Sequence, residues 1–117
     1  MEYEIKHSGE KAAFDSGAVR EVKAGKGRFD LISPFMLERL AKHYEGGAKI
    51  YGDRNWEQGI PFHSLLDSAL RHVNNYRKGL RNEDHLIAAI WNLTAAVHFE
   101  ETQREDLVDV PRYQVKS

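Results

Sequence analysis

The run Ser33-Pro34-Phe35-Met36-Leu37-Glu38-Arg39-Leu40-Ala41-Lys42-His43-Tyr44-Glu45-Gly46-Gly47 sets the helical period for the sequence around it. Phe35, Met36, Leu37, Leu40, Ala41 and Tyr44 recur at the three- and four-residue spacing that lays apolar side chains along one side of a helix. Ser33 suits the N-cap, where its hydroxyl can accept an orphan amide. Pro34 suits the first helical position, where its missing N–H costs nothing. Gly46-Gly47 are expected to stop the helix. Glu38 and Glu45 stand two turns apart on one face and could ligate a cation, but Glu38 with Lys42 and Glu45 with Lys49 also have the spacing of surface ion pairs.

Beyond the glycines, Glu45 to Trp56 is expected to form a polar loop dense in binding groups. Gly46, Gly47 and Gly52 permit tight turns, while Lys49, Arg54, Asn55 and Trp56 offer charge, hydrogen bonds and a stacking face. Gly59-Ile60-Pro61 then leads into a second helix to about Arg77, with Leu65, Leu66, Ala69, Leu70, Val73 and Tyr76 as its core face. Asp67 follows Ser64 at a capping-box-like spacing, and Arg71 lies one turn further on. His72 falls on the apolar side, where an imidazole needs a partner or a ligand.

Lys78-Gly79 ends that helix, and Asn82 is expected to cap a third one opening with Glu83-Asp84-His85. His85, Ala89, Asn92 and Ala96 form a stripe beside Leu86, Ile90, Leu93 and Val97. Ala88, Ala89, Ala95 and Ala96 would let another helix or subunit approach closely, so a homo-oligomer, dimer or tetramer, is expected.

Upstream, Arg20 to Asp30 places four basic side chains within nine residues and adds Gly25 and Gly27, a composition that suits a polyphosphate or an ordinary basic surface loop. It is not a P-loop, since Gly27 follows Gly25-Lys26 where Ser or Thr is required. The pattern therefore predicts an all-α bundle of three main helices in one domain. Residues 1–17 form an arm with a short strand around Met1 to Ile5, 18–101 form the core, and 102–117 form an extended tail able to clasp a neighbour.

The chain has 117 residues, 41% hydrophobic and 30% charged, with a formal charge of −1 and no cysteine. Thiol catalysis, disulfides and cysteine-ligated zinc are excluded, and any anion site must come from a local cluster. No run is long enough to span a bilayer and no secretory leader is visible, so a soluble, cytoplasmic protein without membrane or nucleic-acid partners is expected.

Four blocks carry a resemblance: Gly25 to Ile32, Glu45 to Trp56, Leu70-Arg71-His72, and Glu83-Asp84-His85-Leu86. In order and spacing, over residues 18 to 101, they resemble the phage dATP/dGTP diphosphohydrolase domain family, which includes the MazZ-type enzymes. The resemblance implies a MazG-like all-α nucleotide pyrophosphohydrolase. Such an enzyme uses Mg2+, or Mn2+ or Co2+, to cut dGTP or dATP between the α- and β-phosphates, releasing the monophosphate and pyrophosphate. In some phages this supplies dGMP for 2-aminoadenine (diaminopurine) nucleotide synthesis and removes normal purine triphosphates.

One departure stands out. The wider MazG group holds metal with Glu-x-x-Glu and Glu-x-x-Asp, whereas here three residues on from Glu83 is Leu86, and from Asp84 is Ile87. The candidate ligands are therefore Glu45, Asp67, Glu83, Asp84 and His85, followed by His72 and Asn92. A mostly carboxylate set suits magnesium, while histidines suit manganese, cobalt or zinc better. Lys26, Arg28, Lys49 and Arg71 would hold the polyphosphate, Asn55 and Trp56 the base or sugar, and Glu45 or Asp84 would accept a proton from the attacking water. Two other readings compete: a nucleotide-binding module without catalysis, and a histidine-centred phosphohydrolase releasing triphosphate. Against the latter, the chain has only the reversed dipeptide Asp84-His85.

Overall fold

A computed structural model describes residues 11–21 and 24–116, so the strand expected around Met1 to Ile5 lies outside the described residues. The chain divides into two units, one up to Ile32 and one from Ser33 onward. In the first unit, β1 (Lys11–Ala13) and β2 (Val19–Glu21) pair antiparallel, with Ala12 opposite Arg20. The turn between them is closed by Phe14 N–H donating to Ala18 O at 2.9 Å. This hairpin falls where no period was visible, because a strand of three residues is too short to show alternation. Further on, Arg28 forks onto Asp30 with two bonds of 2.8 Å.

The second unit holds α1 (Pro34–Tyr51), α2 (Phe62–Arg77) and α3 (His85–Glu101), with one-turn 3-10 segments at Asn55–Gln58 and Glu105–Leu107. Ser33 caps α1 as expected, its hydroxyl accepting Met36 N–H at 3.2 Å. Gly46-Gly47 do not stop the helix. A glycine inside a helix costs only about 0.5–1 kcal/mol relative to alanine, and the end comes at Gly52, whose φ of 96° requires a glycine-like residue. The segment Glu45 to Tyr51, expected as loop, is thus the last two turns of α1. Its inward side is Met36, Leu40, His43, Tyr44, Gly47 and Ala48, all partly buried. Phe35, Leu37, Ile50 and Tyr51 point outward, and no residue of α1 is fully buried.

Helix α2 starts at Phe62, two residues before Ser64, so the Ser64/Asp67 capping box does not form; Asp67 pairs with Arg71 instead. The N-cap residue, Pro61, has no side chain able to cap. Asp109, from beyond α3, takes over by accepting His63 N–H at 2.8 Å and contacting the His63 ring. Helix α3 is capped by Asp84, which accepts Ile87 N–H at 3.3 Å, and not by Asn82. Asp84 is nearer to the first amide that needs an acceptor.

Phe62, Leu65, Ala95, Ala96 and Phe99 form the core between α2 and α3, flanked by Trp56, Ile60, Trp91, Leu107, Val108 and Val110. The first ten residues of the expected tail therefore include ones that fold back onto their own core. Leu70, Val73, Leu86, Leu93 and Val97 remain exposed. Among the described residues no helix is long and apolar enough to cross a membrane.

Two outcomes follow for stability. A Cβ at Gly46 meets no atom within 4 Å, so Gly46→Ala should raise stability by about 0.5–1 kcal/mol in denaturant unfolding. The His63 backbone amide and ring hold the Asp109 carboxyl below the usual carboxylate range. A depressed folded pKa contributes stability that is present above the unfolded pKa and lost as pH falls through the folded one. Asp109→Asn should therefore lower the thermal midpoint at pH 7, with the gap to wild type closing as pH drops below about 4.

Candidate metal centre and the two cavities

The face of α2 that buries Phe62, Leu65 and Ala69 continues one turn on to His72. Gly79, at φ 86°, ends this helix and lets the chain reverse, so that Asn82 to Asp84 lead directly into His85 at the start of α3. The reversal brings His72, Glu83 and His85 together, with one ligand atom from each lying within 4.8 Å of the others. His72 Nδ1 faces His85 Nδ1 at 2.9 Å and lies 3.8 Å from Glu83 Oε1. His85 is 3% exposed, and its Nε2 lies 3.0 Å from Asn82 Oδ1. The amide oxygen can only accept, so His85 Nε2 carries the proton and its Nδ1 accepts from the Nδ1–H of His72.

Two imidazole nitrogens and a carboxylate oxygen fit a divalent ion once His72 moves its ring proton from Nδ1 to Nε2, and Asn82 fixes the His85 tautomer. Two nitrogens with one oxygen is a donor set that transition ions accept more readily than magnesium. Glu83 and His85 are candidate ligands from the sequence, and His72 is one of the two ranked behind them. Asn92, the other, is buried and donates to Ala88 O at 2.8 Å.

The remaining candidates lie elsewhere. Asp84 caps α3 and accepts both Nε and Nη2 of Arg39, at 3.0 and 2.5 Å, and this Arg39 fork is the main cause holding its carboxyl below the usual range. Asp67 and Arg71 form an exposed pair along α2, and Glu45 and Lys49 another, at 3.5 Å, along α1.

A cavity of about 790 Å³ opens between α1 and the Asn55–Gln58 turn, lined among others by His43, Glu45, Gly47, Tyr51, Asn55, Trp56 and Trp91. It brings Glu45, Asn55 and Trp56 together. Asn55 Oδ1 accepts from Gln58 Nε2 at 3.0 Å. Trp56 is tied into the wall by edge-on contacts with His98 at 4.8 Å and Phe99 at 5.8 Å between ring centres. A second cavity, about 530 Å³, is lined by Arg39, Tyr76, Leu80, Arg81, Glu83, Asp84, His85 and Leu86.

His43, Arg39 and Arg81 were not singled out from the sequence. His43 stands 5.8 Å from the Trp91 ring, and burial pushes its imidazole pKa down, the Asp84 charge opposing and His72 adding to the effect. The net effect favours the neutral imidazole. Its position three residues after Leu40 on the inward stripe was a legible signal. Arg39 had none, because its partner is 45 residues away.

The chain matches a family model described as dATP/dGTP diphosphohydrolase, N-terminal, over residues 16–109, a span that contains every residue of the metal group and both cavities. No curated protein matches the chain, and neither does any solved structure. With most of its length on that one model, the chain belongs to the dATP/dGTP diphosphohydrolase family and corresponds to its N-terminal domain.

Proposed function

We propose that the chain is a divalent-metal-dependent pyrophosphohydrolase that cuts dGTP or dATP between the α- and β-phosphates. The observation that carries this reading is the His72, Glu83 and His85 group in a chain of this family. Water adds to the α-phosphorus, the bond to the bridging oxygen breaks, and the products are the deoxynucleoside monophosphate and pyrophosphate. A divalent ion held by His72, Glu83 and His85, with Mn2+ or Co2+ favoured over Mg2+, would neutralise phosphate charge and acidify water. Glu45 and His43, which both face the larger cavity, are the proposed proton acceptors. Asp84, with three donors already on it, serves to aim Arg39. The base enters the larger cavity beside Asn55, Trp56 and Tyr51.

Lys49 and Arg71 keep their proposed part in attracting the polyphosphate, first having to leave their present carboxylates, while Lys26 and Arg28, in the first unit, keep a proposed anion-binding part there, Arg28 after leaving Asp30. In the phage setting that the resemblance implies, the dGMP produced would feed 2-aminoadenine nucleotide synthesis. A second copy of the chain is the proposed cover for the exposed Leu70, Val73, Leu93 and Val97.

The decisive experiment incubates the protein with each of the four deoxynucleoside triphosphates, with Mg2+, Mn2+, Co2+ or chelator, and resolves the products by ion exchange. Metal-dependent dGMP or dAMP with pyrophosphate is expected. The two-histidine group also favours a second reading, triphosphate release, which would show as deoxynucleoside with triphosphate. No turnover with any metal would reduce the chain to a nucleotide-binding module. For the metal group itself, Asn82→Ala frees the His85 ring and should weaken Mn2+ affinity by about 10- to 100-fold in calorimetry, with the helical circular dichroism unchanged. For assembly, light scattering should give a mass of at least two chains, reduced to one by Leu93→Glu.

A further inference from the structure

The 530 Å³ cavity holds two guanidinium groups beside the metal group, and neither has all its donors engaged. Arg39 gives Nε and Nη2 to Asp84. Arg81 lies 4.4 Å over the Tyr76 ring, and both its hydrogen bonds, to Leu80 O at 2.8 Å and Tyr76 O at 3.4 Å, come from Nη1. Among the described residues no carboxylate pairs with Arg81. Stacking and two carbonyls hold it in place while its Nε and Nη2 edge stays available for an oxyanion.

The charges of this cavity nearly cancel. Arg39 and Arg81 oppose Glu83 and Asp84, leaving no net charge to attract an anion. A divalent ion on Glu83, His85 and His72 would make the same cavity doubly positive.

We propose that this cavity is a phosphate subsite switched on by the divalent ion, with Arg81 as its anchoring residue and Arg39 as its second donor. The chemical class it takes is a phosphoryl oxyanion, which under the pyrophosphohydrolase reading, on which this rests, is the departing pyrophosphate end of the substrate. Without the ion, Glu83 and Asp84 repel phosphate; with it, the guanidinium forks and the ion face the same oxygens. By linkage, phosphate must then tighten the ion's binding by the same factor as the ion tightens phosphate.

The test is calorimetric and needs no turnover. Inorganic phosphate, which complexes free Mn2+ only weakly, is titrated into the full chain with and without one equivalent of Mn2+. Wild type, Arg81→Met, Arg81→Lys and Arg71→Met are compared, each checked for an unchanged melting curve. Wild type should bind phosphate about 10- to 100-fold more tightly with Mn2+ present. Arg81→Met should lose that gain while keeping Mn2+ affinity, and Arg81→Lys should recover part of it as a point charge without the fork. Phosphate binding that is indifferent to Arg81, or lost with Arg71→Met instead, overturns the subsite alone and leaves the hydrolase reading standing. Failure of Mn2+ to bind the wild-type chain overturns both.

Discussion

The close approach of α2 and α3 is the constraint on which the rest of the second unit depends. Ala88, Ala89, Ala95 and Ala96 are nearly inaccessible, and their small side chains let neighbouring segments approach α3 closely. Leu65 and Phe99 fill the remaining space. In this packing His72 of α2 and His85 of α3 face each other at 2.9 Å. A valine or leucine at those alanine positions would push the rings apart, and Glu83, carried on the connecting turn, would go with them. The packing of the core and the geometry of the metal group are one arrangement seen at two points along the same helix pair.

Helix α1 is joined to this pair by different means. It buries no residue fully, and its links are partly polar: the Arg39 fork onto Asp84, and the aromatic cluster of Tyr44, Trp56 and Trp91. Asp84 serves two elements at once, capping α3 and receiving α1. Asp109 plays a similar double part for α2 and the C-terminal segment. In both cases a carboxylate at a helix N-terminus satisfies orphan amides and fixes where a second segment lies.

How much of this was legible follows from the range of each signal. The three helices, the Ser33 cap and the approach of a helix to the alanine stripe were readable because they rest on local periodicity. The end of α1 was misplaced because two glycines look like a stop, whereas the stop is set by the residue that adopts positive φ, Gly52. The caps of α2 and α3 were missed because one acceptor comes from 46 residues away and the other sits two residues beyond the expected one. His72, Glu83 and His85 were each visible as candidates, but their meeting depends on the reversal at Gly79. Glu45, Asn55 and Trp56 lie together as their shared segment suggested. Lys49, Arg71 and Arg28 are held by nearby carboxylates, which their i,i+4 or i,i+2 spacing already offered. Arg81 was invisible because nothing in its immediate neighbours distinguishes it.

Gly46 and Gly47 stay helical without any contact that a side chain would have supplied, and Gly47 forms part of the wall of the larger cavity. At these two positions the last turns of α1 are held by their backbone bonds without side-chain packing. Their amides should exchange with solvent far sooner than those of α3, through local openings that leave the helix pair intact. Such fraying would widen the mouth beside Tyr51 and close it again without disturbing His72 and His85. Admission of a bulky ligand would then be a matter of how often one helix end unwinds.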